Sequence, residues 1–138
     1  MSPYGLSLYR RTLVRTADRR SAVLYLHDAA IRACRLAAEA IEEGRIGEKA
    51  RQLDRALTAV TEMSGALDLD TGGALSARLL GLYAWLMRTI VSANGANSAS
   101  DARACAAVLR ILREGWEQIV HTPRSRCEEA GTPLGVRA

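Results

Sequence analysis

Phenylalanine is absent from this 138-residue chain, tryptophan occurs twice and tyrosine four times, so the 49% hydrophobic fraction is carried largely by alanine and leucine. That palette favours helices and leaves little from which to build a β-sheet. Lysine is almost missing as well. Lys49 is the single example, so nearly all of the 19 basic residues are arginines, set against 15 acidic ones for a net charge of +4. Acidic residues interrupt the arginines along most of the chain, the pattern of solvated helix faces rather than of a nucleic-acid-binding stripe. The cysteines Cys34, Cys105 and Cys127 are few, odd in number and far apart, with no C-x-x-C pair or His-rich cluster beside them. This excludes a zinc or dithiol motif and suggests free thiols in a reducing compartment. No uninterrupted apolar run reaches the ~18 residues of a membrane span, and Met1 is followed by polar and basic residues rather than an apolar signal core. The expected location is the cytoplasm.

The length suits one domain, which can bury roughly two-thirds of the surface its unfolded chain exposes. From Ser21 to Glu43, Val23, Leu26, Ala30, Ala33, Ala37 and Ile41 recur at steps of three and four, with Asp18 as a candidate N-cap and Gly44 as a stop. The series Ile46, Ala50, Leu53, Leu57, Val60, Ser64, Leu67 continues the period in a second helix. The intervening connection is short enough to impose an antiparallel hairpin. Turn-forming residues through Gly72-Gly73 precede a third stripe, Leu75, Leu79, Leu82, Leu86, Ile90 and Ala93, which Asn94-Gly95 is expected to end. Leu80, Tyr83, Met87 and Val91 make this helix apolar over more of its circumference than a surface helix needs. A fourth helix from about Asp101 carries Cys105, Val108, Leu109, Ile111, Leu112, Trp116 and Ile119 and is closed by Pro123.

The expected fold is therefore all-α: an up-and-down antiparallel four-helix bundle over residues 18–121. Residues 1–17 form an arm or short extra helix in this reading, and 122–138 a disordered tail. Leu6, Tyr9, Leu13 and Val14 give the arm enough apolar surface to dock, and the uncovered face of the third helix is the expected place.

Catalytic constellations are thin. His27 and Asp28 are adjacent and so project about 100 degrees apart on a helix, unable to meet within it. His27 reads better as a half-buried histidine with a hydrogen-bond partner. Glu42-Glu43 and Asp68 with Asp70 fall at helix ends, where solvation or the helix dipole accounts for them. Neither a Glu-x-x-His motif nor a phosphate-loop spacing exists, and no cofactor or metal is expected. Trp85, Trp116 and Tyr83 could stack bases, but their helical spacing suits core or interface anchoring better. Excess apolar surface on the third helix points to a groove for another protein segment.

Specific strings support that reading. Leu67-Asp68-x-x-x-Gly72-Gly73, then Leu79-x-x-Leu82-Tyr83-x-Trp85-Leu86-x-Arg88 and Ala93-Asn94, is similar to the most recognisable block of the FliS flagellar export chaperones. Tyr9-x-x-x-x-Val14-x-Thr16-Ala17 resembles that family's N-terminal signature. Leu26-His27-Asp28-Ala29-Ala30-Ile31 stands in the place of its Leu-Tyr-Asp-Gly-Ala-Ile segment, and Leu112-Arg113-Glu114-Gly115-Trp116 resembles its closing Leu-Arg-x-x-Trp. His27, Ala29, Ala84-Trp85 and Arg19 depart from the residues usual there.

The resemblance implies a non-enzymatic cytosolic chaperone that captures the C-terminal segment of flagellin, prevents its early polymerisation and presents it to the export apparatus. As flagellin-binding positions it implies Tyr9, Val14, Leu26, Leu67, Leu79, Leu82, Tyr83, Leu86, Ile90, Asn94 and Trp116. Tyr83 is expected on the groove side of the third helix, with Leu79 and Leu82 on the core side. Neither nucleic acid nor stable membrane insertion belongs to this reading, and the free protein is expected as a monomer or weak homodimer. Two rivals share the composition: a helical secretion chaperone or regulator with a different client, and an arginine-rich nucleic-acid-binding bundle whose binding would weaken steeply with salt.

Overall fold

The computed structural model describes residues 19–67 and 69–121. Four helices follow in order, α1 (Arg19–Glu42), α2 (Ile46–Gly65), α3 (Leu69–Ala96) and α4 (Ala99–His121), and the described residues contain no strand. The expected arm, the Asp18 cap and the tail lie outside them.

Each connection has a local cause. Gly44 takes φ +72, which lets the amide of Arg45 donate to the Ala40 carbonyl at 2.8 Å and closes α1 in a Schellman turn. Asn94-Gly95 does not end α3 as expected. The helix runs on to Ala96, and Asn97 takes the left-handed turn at φ 53 while the Ser98 amide donates to Ala93 O at 2.9 Å. Ser98 then caps α4, its Oγ accepting from the Asp101 amide at 3.1 Å, so that helix begins at Ala99 rather than near Asp101. Helical turns of α3 begin at Leu69, inside the segment expected to be a turn, and are broken at Gly73 (φ 57, ψ −140). A side chain would strain that backbone, which accounts for glycine there.

The helices pack in cyclic order: α1 against α2 and α4, and α3 against α2 and, least extensively, α4. Buried alanines explain the asymmetry. Ala30, Ala33, Ala37, Ala38 and Ala40 of α1 meet neighbours that bury Ala56 and Ala59 of α2 and Ala102 and Ala106 of α4, so these backbones approach closely. Besides Ser76 and Ala93, α3 turns the large Tyr83, Leu86 and Ile90 into the core. These three, with Leu26, Leu53, Val60, Met63 and Leu109, fill the centre. Each fully buried large aliphatic contributes about 1.5–3 kcal/mol.

The second and third stripes match their expected positions only in part, Leu53, Val60, Leu86, Ile90 and Ala93 being buried as expected. In α2, Ile46 is 71% exposed and Ala50 is exposed, while Lys49, Gln52, Leu53, Ala56, Ala59, Val60 and Met63 face inward. In α3 the inward set is Ser76, Tyr83, Leu86, Ile90 and Ala93, with Leu79 half-buried against it; Leu82, expected in the core, is 40% exposed and Tyr83, expected in a groove, is 1% exposed. Both series have helical spacing, and a helix apolar on most sides does not say which one faces the core.

Lys49 ties the bundle end together. Its ammonium donates to the Asn94 carbonyl (3.2 Å) and to Asn97 Oδ1 (3.0 Å), placing the chain's one lysine at the C-terminus of α3, where a cation meets unpaired carbonyls. Across the α1–α4 seam, Arg113 bridges Asp28 and Glu117, and Arg103 pairs with Glu42.

Candidate functional site

α3 inserts Tyr83 into a buried polar chain that spans three helices. The Trp116 indole N–H donates to Tyr83 Oη at 3.3 Å, and Tyr83 Oη lies 3.5 Å from His27 Nε2. His27 Nδ1 lies 2.8 Å from the Val23 carbonyl, which can only accept. Nδ1 therefore carries the proton, Nε2 holds a lone pair, and the tyrosine hydroxyl donates to it. His27 is wholly buried rather than half-buried, and burial pushes its pKa below the ordinary value. Burial likewise raises the Tyr83 phenol. All members are satisfied and buried, so the chain organises the core. Asp28, the neighbour a general-base reading would need, points outward to Arg113.

Two of the cysteines are equally inert, and Cys127 lies outside the described residues. Cys34 and Cys105 are buried free thiols, pushed by desolvation to about 12 and about 11. Among the described residues no group of three or more His, Cys, Asp or Glu could hold a metal ion.

What reaches solvent is apolar. Leu82 (40%) and Trp85 (37%) are exposed on one flank of α3 beside half-buried Leu75 and Leu79, and Val91 (58%) is exposed on the opposite flank beside half-buried Leu80 and Met87, whose Sδ meets Thr61 of α2. On α4, the helix against which α3 packs least extensively, Val108 and Leu112 are half-buried and Ile111 is 68% exposed. Here α3 presents one apolar side to the core and another to water.

Against this geometry the expected binding positions divide. Leu82 lies on the exposed face, and Leu67 and Leu79 are half-buried at the core margin. Leu26, Tyr83, Leu86, Ile90 and Trp116 are packed in the interior and offer a partner no surface, which corrects their placement in a groove. Asn94 is exposed, but its carbonyl is taken by Lys49. Tyr9 and Val14 lie outside the described residues. Trp85, read as a core or interface anchor, and Val91, one of the surplus apolar residues of this helix, are exposed, although neither is among the binding positions that the resemblance implies. The signal was present, since placing Tyr83 in the core turns Trp85, two residues on, to the outside.

Comparison with known proteins adds what geometry alone does not supply. The family described as flagellar protein FliS matches residues 2–123. The chain belongs to the FliS family. It is a family of chaperones, not of enzymes. The flagellar secretion chaperone FliSB of Pseudomonas aeruginosa is 32% identical over 82 residues, 59% of this chain and 65% of that protein. The match thus spans just under two-thirds of that relative's length. The flagellar secretion chaperone FliS of Bacillus subtilis is 27% identical over 123 residues, 89% of this chain and 90% of the relative. That of Salmonella typhimurium is 26% identical over 91 residues, 65% of this chain and 66% of the relative.

One described segment of this FliS-family chain, Gly73–Ala96, is long and apolar enough to cross a membrane. It is also the helix that places Tyr83, Leu86 and Ile90 in the bundle core, and a single segment of this kind does not indicate insertion.

Proposed function

We propose that this chain is a cytoplasmic chaperone for the C-terminal segment of flagellin, holding it apart from premature polymerisation and assisting its export. The observation that carries the reading is the water-facing apolar flank of α3 around Leu82 and Trp85, in a chain of the FliS family. An amphipathic segment that is disordered when free can lay its apolar stripe along such a face, and the area it buries offsets the cost of ordering it. No titratable group of the described core is needed for holding of this kind.

Calorimetry with a peptide of about forty residues from the C-terminus of flagellin tests the reading, with a negative heat-capacity change expected as the marker of apolar burial. Trp85→Ala and Leu82→Asp should each weaken binding while leaving the circular dichroism of the free protein unchanged. A folded protein with no measurable affinity for the peptide would overturn the assignment.

A further inference from the structure

The uncovered face of α3 has a charge character of its own. From Gly73 to Ala96 the sequence holds two arginines, Arg78 and Arg88, and no aspartate or glutamate. The other three helices each carry carboxylates, among them Asp28 and Glu42 on α1, Glu48 and Asp54 on α2, and Glu114 and Glu117 on α4. Several of them engage arginines, as in Arg51–Glu48, Arg103–Glu42 and Arg113–Asp28. Arg78 and Arg88 are exposed, and neither makes an ion pair among the described residues. Trp85 lies between them, seven residues beyond one and three before the other. Ten residues of helix separate the two arginines by about 15 Å.

We infer that the α3 face selects an amphipathic segment of another protein whose apolar stripe is flanked by carboxylates, these pairing with Arg78 and Arg88 on either side of Trp85. The inference rests on the client-capture reading for the position of the site and adds the chemistry of what fits it. The apolar residues supply contact area, and the two guanidinium groups set orientation and reject basic segments. The N-terminal residues of the chain fit poorly as an occupant. Residues 1–17 contain Arg10, Arg11 and Arg15 and no carboxylate, so they would place like charges together. A second copy presenting its own α3 would do the same.

The test uses the full-length protein and two synthetic helical peptides with one apolar stripe, flanked in one by glutamates and in the other by glutamines. The glutamate peptide should bind about three- to ten-fold more tightly at low salt, the size expected of two partly exposed ion pairs, and the preference should fade at high salt. Arg78→Gln with Arg88→Gln should abolish the preference while both peptides still bind through Leu82 and Trp85. Equal binding of the two peptides, or a preference that survives the double substitution, would refute the inference. So would tighter binding to phosphatidylglycerol vesicles than to the glutamate peptide, which would make this a membrane-surface face. If Glu128→Gln with Glu129→Gln raised affinity for the glutamate peptide ten-fold, the chain's own tail would be the occupant and the inference would again fall. Flagellin capture is judged separately. Failure of the flagellin peptide with success of the glutamate peptide overturns the client and keeps the chemistry, and the converse keeps the client and discards the chemistry.

Discussion

Replacing Tyr83 by phenylalanine would remove one oxygen atom from the centre of the bundle and leave the ring packing in place. That oxygen accepts from Trp116 Nε1 at 3.3 Å and faces His27 Nε2 at 3.5 Å, so the substitution strands a buried donor and a buried acceptor together. His27 cannot adapt by moving its proton, because Nδ1 must keep donating to the Val23 carbonyl. An unsatisfied buried group costs about 1–3 kcal/mol, and the length of both contacts keeps the sum near the same range rather than double it. Tyr83→Phe is therefore expected to lose about 1–3 kcal/mol, or about 4–12 °C in Tm for a chain of this size. Urea denaturation followed by circular dichroism and by tryptophan fluorescence measures it. His27→Leu in the Tyr83→Phe background should cost less than the sum of the single changes, since the two groups share a bond. A Tyr83→Phe protein within about 0.5 kcal/mol of the parent, with no coupling to His27, would show that the polar chain contributes nothing and that only the rings matter.

Other outcomes follow from the same packing. Because burial lowers the His27 pKa, the unfolded state takes up its proton first; stability should be full above the ordinary histidine value of 6.5 and fall as the pH drops below it toward the lowered folded value. Urea midpoints between pH 7.5 and 5.5 read this, and a His27→Leu variant should lose that part of the slope. Leu86→Ala, at a fully buried position, should cost about 2–5 kcal/mol, whereas Trp85→Ala, at an exposed position, should leave the urea midpoint nearly unchanged and lower affinity for the flagellin peptide. Lys49→Met removes the donor to Asn94 O and Asn97 Oδ1 and should cost about 1–3 kcal/mol, with faster hydrogen exchange at residues 94–98 than elsewhere.

Much of this molecule was determined locally. Alanine and leucine at steps of three and four make four helices whatever their surroundings, and Gly44 can end α1 because a left-handed residue is needed there. The sequence by itself also carried the family resemblance and the surplus of apolar surface on α3. Which side of α3 faces inward was decided only in the tertiary structure. Leu79, Leu80, Leu82, Tyr83, Leu86 and Met87 satisfy helical spacing in more than one rotation, so periodicity could not choose between Leu82 and Tyr83 for the core. The choice is made by partners distant in the chain: His27 and Trp116 supply the acceptor and donor that make a buried tyrosine hydroxyl tolerable, and a leucine there would have left both unpaired. Lys49 follows the same logic, since an ammonium on the inner side of α2 is stable only because the end of α3, 45 residues away, offers it two oxygens.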